Sequence, residues 1–166
     1  MKVQTKFLVV FSIIGVLYSS SLHAIMPKLS LQELRDKANC IMLGSTESMR
    51  SYWAKDTVTG ADLIFTDVTV KPVEWFKTDA DSTARLERIH VRILGGQVDS
   101  IGLYVSDSPE FEVGESVILF LHPKIGDQFK VFAWRLGKYT IVENHIRENG
   151  LPVKTFIEQI KIRSKK

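Results

Sequence analysis

The sequence predicts a mainly β protein, a small twisted barrel of five to six strands with a short helix packed on it at each end. Three observations predict it. Short apolar or alternating segments recur between turn signals, apolar residues repeat at helical spacing in only two places, and those two places lie at the ends. The order of elements therefore contains no strand-helix-strand alternation, which excludes a doubly wound sheet and leaves a closed or wrapped β architecture.

The first helix is announced by Leu29-Ser30-Leu31-Gln32-Glu33-Leu34. Ser30 can accept from the Glu33 amide while Glu33 reaches back, and Leu29 can staple to Leu34. Leu31, Leu34 and Ala38 share the inward face. Cys40 to Gly44 reads as a buried strand that bends at Gly44 and continues towards Met49 and Trp53. Lys55 to Ala61 reads as a hairpin loop. In the next strand Ile64, Val68 and Val70 alternate with Phe65, Asp67, Thr69 and Lys71 up to Pro72. A polar loop from Thr78 to Ser82 precedes a third strand in which Ile89, Val91 and Ile93 alternate with Arg88, His90 and Arg92.

Gly95-Gly96 ends that strand. Residues 97–114 keep no period, and a connection this long is expected to be ordered by its own apolar residues, with a short strand near Leu103 to Val105. Val117 to Leu121 lacks alternation, as a strand covered on both faces would. Lys124 to Asp127 turns the chain into a strand from Phe129 to Leu136, Gly137 turns it again, and Tyr139 to Val142 closes the set. Asn149-Gly150 then breaks the pattern before Pro152, suited to a first helical position, and Val153, Phe156, Ile157 and Ile160 form one stripe.

Lys2 and Lys6, the apolar run Phe7 to Tyr18 and the small residues up to Ala24 have the three-part layout of a secretory signal, so cleavage is expected after Ala24. One domain, residues 25–166, then remains. The run is shorter than the roughly 20 residues that span a bilayer, so stable membrane insertion after cleavage is not expected. The whole chain carries a formal charge of +3; without Lys2 and Lys6 it is +1, and without the tail cations Lys161, Arg163, Lys165 and Lys166 it is −3. A body with no basic surplus argues against nucleic acid as a ligand. Cys40 is the only cysteine, which excludes an intramolecular disulfide, and its neighbours Ile41, Met42 and Leu43 suggest a buried thiol.

Motifs for catalysis are thin. His90, His122 and His145 sit on separate elements without a second His or Cys at ligand spacing, so neither a metal nor another cofactor is expected. Ser106, Asp107 and Ser108 could be drawn with a remote histidine as a triad, but no Gly-x-Ser-x-Gly elbow supports it. Glu110, Glu112 and Glu115 flank a turn, where Glu115 is expected to bond backbone amides. For binding, alternation puts Arg88, His90 and Arg92 on one face of a strand, a cationic ladder for an acidic partner or a glycan carboxylate, unless Asp67 and Thr69 of the preceding strand neutralise it. Trp75 and Phe76 are the aromatic pair expected at the surface, for stacking on a carbohydrate or peptide.

Ala38, Ile41, Gly44, Trp53, Thr66, Gly95, Gly96, Pro109, Phe111, Gly114, Glu115, Val117 to Leu121, Gly137 and Lys138 together resemble the shared pattern of a family of small exported bacterial proteins of uncharacterised function. More distantly the layout is similar to oligonucleotide/oligosaccharide-binding (OB) barrels, including the netrin-like and metalloproteinase-inhibitor versions. That resemblance implies an OB-like barrel with flanking helices. The inhibitors' disulfide-tied amino terminus has no counterpart here, so their zinc chemistry is not implied.

The expected function is an exported, periplasmic or extracellular, non-enzymatic binding module for a protein or glycan of the cell envelope. The alternative is a small envelope hydrolase with its site near residues 97–115.

Overall fold

The structure, a computed structural model, describes residues 29–78, 86–122, 126 and 128–161. The expected signal segment, most of the loop from Thr78 to Ser82, most of the turn from Lys124 to Asp127, and the tail beyond Lys161 lie outside the described residues. The protein is mainly β. Strands β1 (Cys40–Lys55), β2 (Asp62–Lys77), β3 (Ile89–Leu94), β6 (Ser116–Leu121), β7 (Gln128–Phe129), β8 (Lys138–Val142) and β9 (His145–Ile146) form one sheet in the order β7-β3-β2-β1-β6-β8-β9. All its pairings are antiparallel except β3 with β7. A separate hairpin, β4 (Gly96–Val98) with β5 (Ile101–Leu103), supplies the short strand expected in the excursion. Helices α1 (Leu31–Lys37) and α2 (Val153–Lys161) bracket the sheet in sequence.

Among the described residues the sheet does not close into the expected barrel. Leu121 bridges to Val131, and Phe132 donates its amide to the Phe120 carbonyl at 2.8 Å, which draws the chain after β7 towards β6. The strand expected from Phe129 to Leu136 does not continue that contact. Ala133 and Trp134 take left-handed φ values of 56° and 55°, and Trp134–Gly137 winds into a 3₁₀ turn. Gly137 fits there because a Cβ would lie 1.9 Å from the Phe132 carbonyl oxygen.

The β1–β2 hairpin is longer than expected. β2 does not end at Pro72 but runs to Lys77, since Pro72 faces Gly44 beside a register shift, where the ladder is already interrupted. Its tip is tied by the Asp56 carboxylate, which accepts from the amides of Val58 at 3.2 Å and Thr59 at 2.8 Å. At the other end of the chain Glu143 and Asn144, with φ of 47° and 66°, make the two-residue turn joining β8 to β9.

Two apolar layers form on the two faces of the sheet. Cys40, Met42, Val68, Val70, Val91, Val117, Leu119, Leu121, Phe129 and Phe111 fill the first. Ile41, Ile118, Phe120 and Ile146 meet Leu34, Phe156 and Ile160 of the helices in the second. β6 serves both: Val117 to Leu121 are all fully buried, with alternate side chains in alternate layers. The Ser30–Glu33 capping box opens α1, and the Lys77 ammonium at the end of β2 donates to the Arg35, Asp36 and Ala38 carbonyls at its other end. Phe120 touches α2 through Tyr139, whose ring lies 5.7 Å from Phe120 and 4.6 Å from Phe156.

Truncating Phe120→Ala is expected to cost about 3–5 kcal/mol, because the void opens between two rigid layers. Val58→Ser at the exposed hairpin tip is expected to change stability by less than about 0.5 kcal/mol. Urea unfolding of both variants measures the contrast.

Candidate functional site

His90 and Arg92 of β3 meet the β2 neighbours that strand pairing dictates, whereas Arg88, just ahead of β3, reaches Glu47 on β1. Arg88 Nε donates to Glu47 at 2.6 Å, and Glu47 holds its guanidinium pKa above the usual value. His90, opposite Thr69, is exposed and lies 3.4 Å from the Thr69 hydroxyl. Arg92 Nε donates to Asp67 at 3.1 Å, with its guanidinium 5.4 Å from the Tyr52 ring centre and 5.8 Å from that of Phe65. Asp67 is a hub: it also accepts from the Tyr52 hydroxyl at 3.0 Å and from the Gln128 amide at 3.1 Å. Desolvation, then the hydrogen bond to Asp67 and its charge, push the Tyr52 hydroxyl pKa upwards. Both arginines of the ladder thus already have a carboxylate.

Trp75 and Phe76 point to opposite faces, both partly buried. Trp75 packs on the first apolar layer and Phe76 on the second. The Lys161 ammonium sits 5.2 Å above the Phe76 ring and pairs with Glu74 at 2.8 Å. The open aromatics are others: Trp53 and Trp134 are each 49% exposed, and Tyr104 is 78% exposed.

Two clefts border the excursion. The first, of about 550 Å³, lies between one face of strands β1 to β3 and the excursion, with Met49, Ser51, Thr66 and Ile93 on one side and Leu103, Tyr104, Val105, Pro109, Glu110 and Phe111 on the other. Its floor at Gly96 is tight. A Cβ there would lie 2.2 Å from Thr66 Oγ1 and 2.5 Å from Ser51 Oγ, and φ is +130°, so only glycine fits. Thr66 Oγ1 in turn donates to the Gly95 carbonyl at 2.7 Å. The second cleft, of about 590 Å³, is more polar and includes Tyr104, Arg135, Lys138, Tyr139, Arg147 and Glu148.

Between them runs a buried ion pair. Lys138 Nζ lies 3.0 Å from Glu115, donates to Thr140 Oγ1 at 2.8 Å, and sits 4.9 Å from the Phe111 ring centre. The two side chains are only 8% and 6% exposed. Glu115 also accepts the Glu112 amide at 3.0 Å, the backbone role expected of it. This cluster fastens the end of the excursion to β8, and its Phe111 lines the first cleft while its Lys138 lines the second; the residues common to both are Tyr104, Ser108, Pro109 and Glu110.

The drawn triad separates into structural contacts. Ser108 Oγ donates to the Leu94 carbonyl at 2.6 Å, and Asp107 faces Arg135 at 3.9 Å. Neither cleft is lined by a histidine among the described residues. His122 packs edge-on against Phe132, and His145 lies 3.0 Å from the Glu143 carbonyl oxygen. Cys40 is fully buried. Among the described residues no three His, Cys, Asp or Glu side chains gather closely enough to share a metal ion.

Sequence reading missed Met49 and Tyr104 as cleft residues and Lys138 as the partner of Glu115. The resemblance did contain a signal for the last. Thr66 with Gly95 and Gly96, and Phe111 with Glu115 and Lys138, are distant in sequence yet each set meets in space.

Removing one member of the buried pair strands the other charge. Lys138→Met is expected to destabilise by about 3–5 kcal/mol, and Glu115→Gln combined with Lys138→Met is expected to recover most of the loss in chemical denaturation. Burial and the charge of Glu148 also raise the pKa of Tyr139. With two tyrosines raised above the ordinary value of about 10, the folded state keeps protons that the unfolded chain releases. Stability from this source is complete below about pH 10 and falls as pH rises through the folded-state values. Tyr52→Phe and Tyr139→Phe are each expected to shrink the alkaline drop in Tm, read by thermal melts across that range.

No family model matches the chain, and no curated protein matches it.

Proposed function

We propose that this protein is an exported, non-enzymatic binding module, built on an OB-like wrapped sheet of the kind its resemblance to small exported bacterial proteins implies, that takes up a protein or glycan of the cell envelope. The observation that carries this reading is the chemistry of the first cleft. Its walls are mainly apolar and backbone, and Glu110, an exposed residue, is the one ionisable side chain among its lining residues apart from the Tyr104 phenol. General acid–base chemistry needs a side chain of suitable pKa positioned within reach of the reacting centre, usually beside a nucleophile or a charge-stabilising group. An apolar trough with an open tyrosine at its rim instead suits recognition by contact, with the phenol as a polar handle.

The partial closure by the Leu121–Val131 bridge supports the OB-like part of the reading. The polar groups of the Arg88, His90 and Arg92 row contribute less to binding, because Glu47 and Asp67 already neutralise its arginines.

Full-length processed protein, immobilised and exposed to solubilised envelope proteins and to a glycan array, is expected to retain one saturable ligand and to release no new product. Tyr104→Ala is expected to weaken that retention by about tenfold, equivalent to about 1.4 kcal/mol, with Tm unchanged. Turnover of a chromogenic ester or glycoside that is lost in Ser108→Ala would establish the hydrolase instead.

A further inference from the structure

We propose that the open edge of β1, from Ser48 to Lys55, binds an extended acidic peptide of a partner protein as an added strand; this rests on the binding reading above and names its ligand class. β1 is paired on both sides only in its first part. Cys40 to Ser45 ladder with β6, and Thr46 exchanges the last two bonds on that side, donating to the Glu115 carbonyl at 3.0 Å and accepting the Gly114 amide at 2.8 Å. The register then shifts between Thr46 and Ser48, leaving Glu47 out of the ladder. From Ser48 to Lys55, β1 pairs with β2 alone among the described residues.

This open edge is roughly 26 Å long at the usual rise per residue. Edges of such length are usually covered, kinked or interrupted by proline, because the unpaired amides and carbonyls template another strand. Here the sequence Ser-Met-Arg-Ser-Tyr-Trp-Ala-Lys keeps it regular.

The first cleft lies beside that edge, with Met49 and Ser51 as its β1 wall. A strand added there has alternate side chains on opposite faces. One set enters the cleft towards Met49, Leu103 and Phe111, and Glu110 on the far wall disfavours acids in it. The other set lies on the face of Arg50 and Tyr52, opposite Asp67 and Phe65 in register.

Charge decides the occupant. Residues 48–55 hold two cations and no acid. Lys55 pairs with Asp62 at 3.4 Å, whereas exposed Arg50 has no ion-pair partner among the described residues. Two copies of this edge would bring like charges together, while a strand with outward Glu or Asp complements Arg50. The geometry therefore selects alternating apolar and acidic residues rather than a second copy of the chain.

The probe is an acetylated, fluorescein-labelled octapeptide of alternating Glu and Val, read by anisotropy against the full processed protein. It is compared with the same peptide bearing Lys for Glu, and with one N-methylated at alternate amides. The acidic peptide is expected to bind, and the other two to bind at least about tenfold more weakly. Arg50→Glu, an exposed change that leaves the fold intact by circular dichroism, is expected to reverse the preference between Glu and Lys. Equal binding of the methylated peptide, or a dimer in sedimentation that Arg50→Glu abolishes, would overturn strand addition. Failure of the acidic peptide while Tyr104→Ala still weakens retention of the envelope ligand would overturn it too, and leave the binding module standing. Failure of both would remove the two together.

Discussion

Val117 to Leu121 exclude water from both faces of β6, and the rest of the fold is arranged to meet that demand. Five consecutive apolar residues can be buried only where a sheet is covered twice. One cover comes from the wrapped remainder of the sheet, where Met42, Val68 and Val91 approach Val117, Leu119 and Leu121. The other comes from the two terminal helices, where Leu34 and Phe156 approach Ile118 and Phe120. The helices are therefore half of the packing that the central strand requires. Lys77 shows how closely the two are tied, since its ammonium caps α1 from the far end of β2.

The excursion before β6 is held by the same strand. Glu115, immediately ahead of it, pairs with Lys138 at the start of β8, and those strands are neighbours in the sheet. A buried ion pair adds little net stability compared with apolar packing, but its directional bonds to the Glu112 amide and Thr140 fix one arrangement of the loop against the sheet. Gly96 fixes the other end, pressed against Ser51 and Thr66. Between these two anchors the excursion stands away from β1, and the first cleft is the space that remains.

Local pattern made much of the fold legible. The Ser30–Glu33 box, the alternation of Ile64, Val68 and Val70, and the unbroken run in β6 each report their own surroundings, and each is observed. What could not be read depended on distant contacts. Pro72 signals an end, yet β2 continues because its partner Gly44 lies at an interruption of the ladder. Phe129 to Leu136 has the composition of a strand, yet left-handed Ala133 and Trp134 divert it and leave the sheet open. The same division holds for the site. Arg88, His90 and Arg92 were located by alternation alone, and Asp67 was legible as the counter-charge of Arg92 because it follows the same period on the neighbouring strand, whereas Glu47, the partner of Arg88, lies on β1 and carried no such mark. Met49, Tyr104 and Lys138 carry no local mark, since their roles arise from where the excursion folds back.

The distribution of polar groups is the physical ground on which the proposed binding role rests. Ser108 is tied to the Leu94 carbonyl, Asp107 faces Arg135, Glu115 holds Lys138, and Glu148 accepts the Thr140 amide twice. Groups engaged in this way hold the loop in place against the sheet. Among the described residues, the backbone of β1 beyond Thr46 also has an edge with no strand paired to it, next to an apolar trough. Backbone groups in a regular strand cannot act as acids or bases near neutral pH, but they can align another chain. The proposed strand addition therefore draws on a main-chain edge that lies beside a cleft shaped by side chains, and not on the side chains that hold the excursion in place.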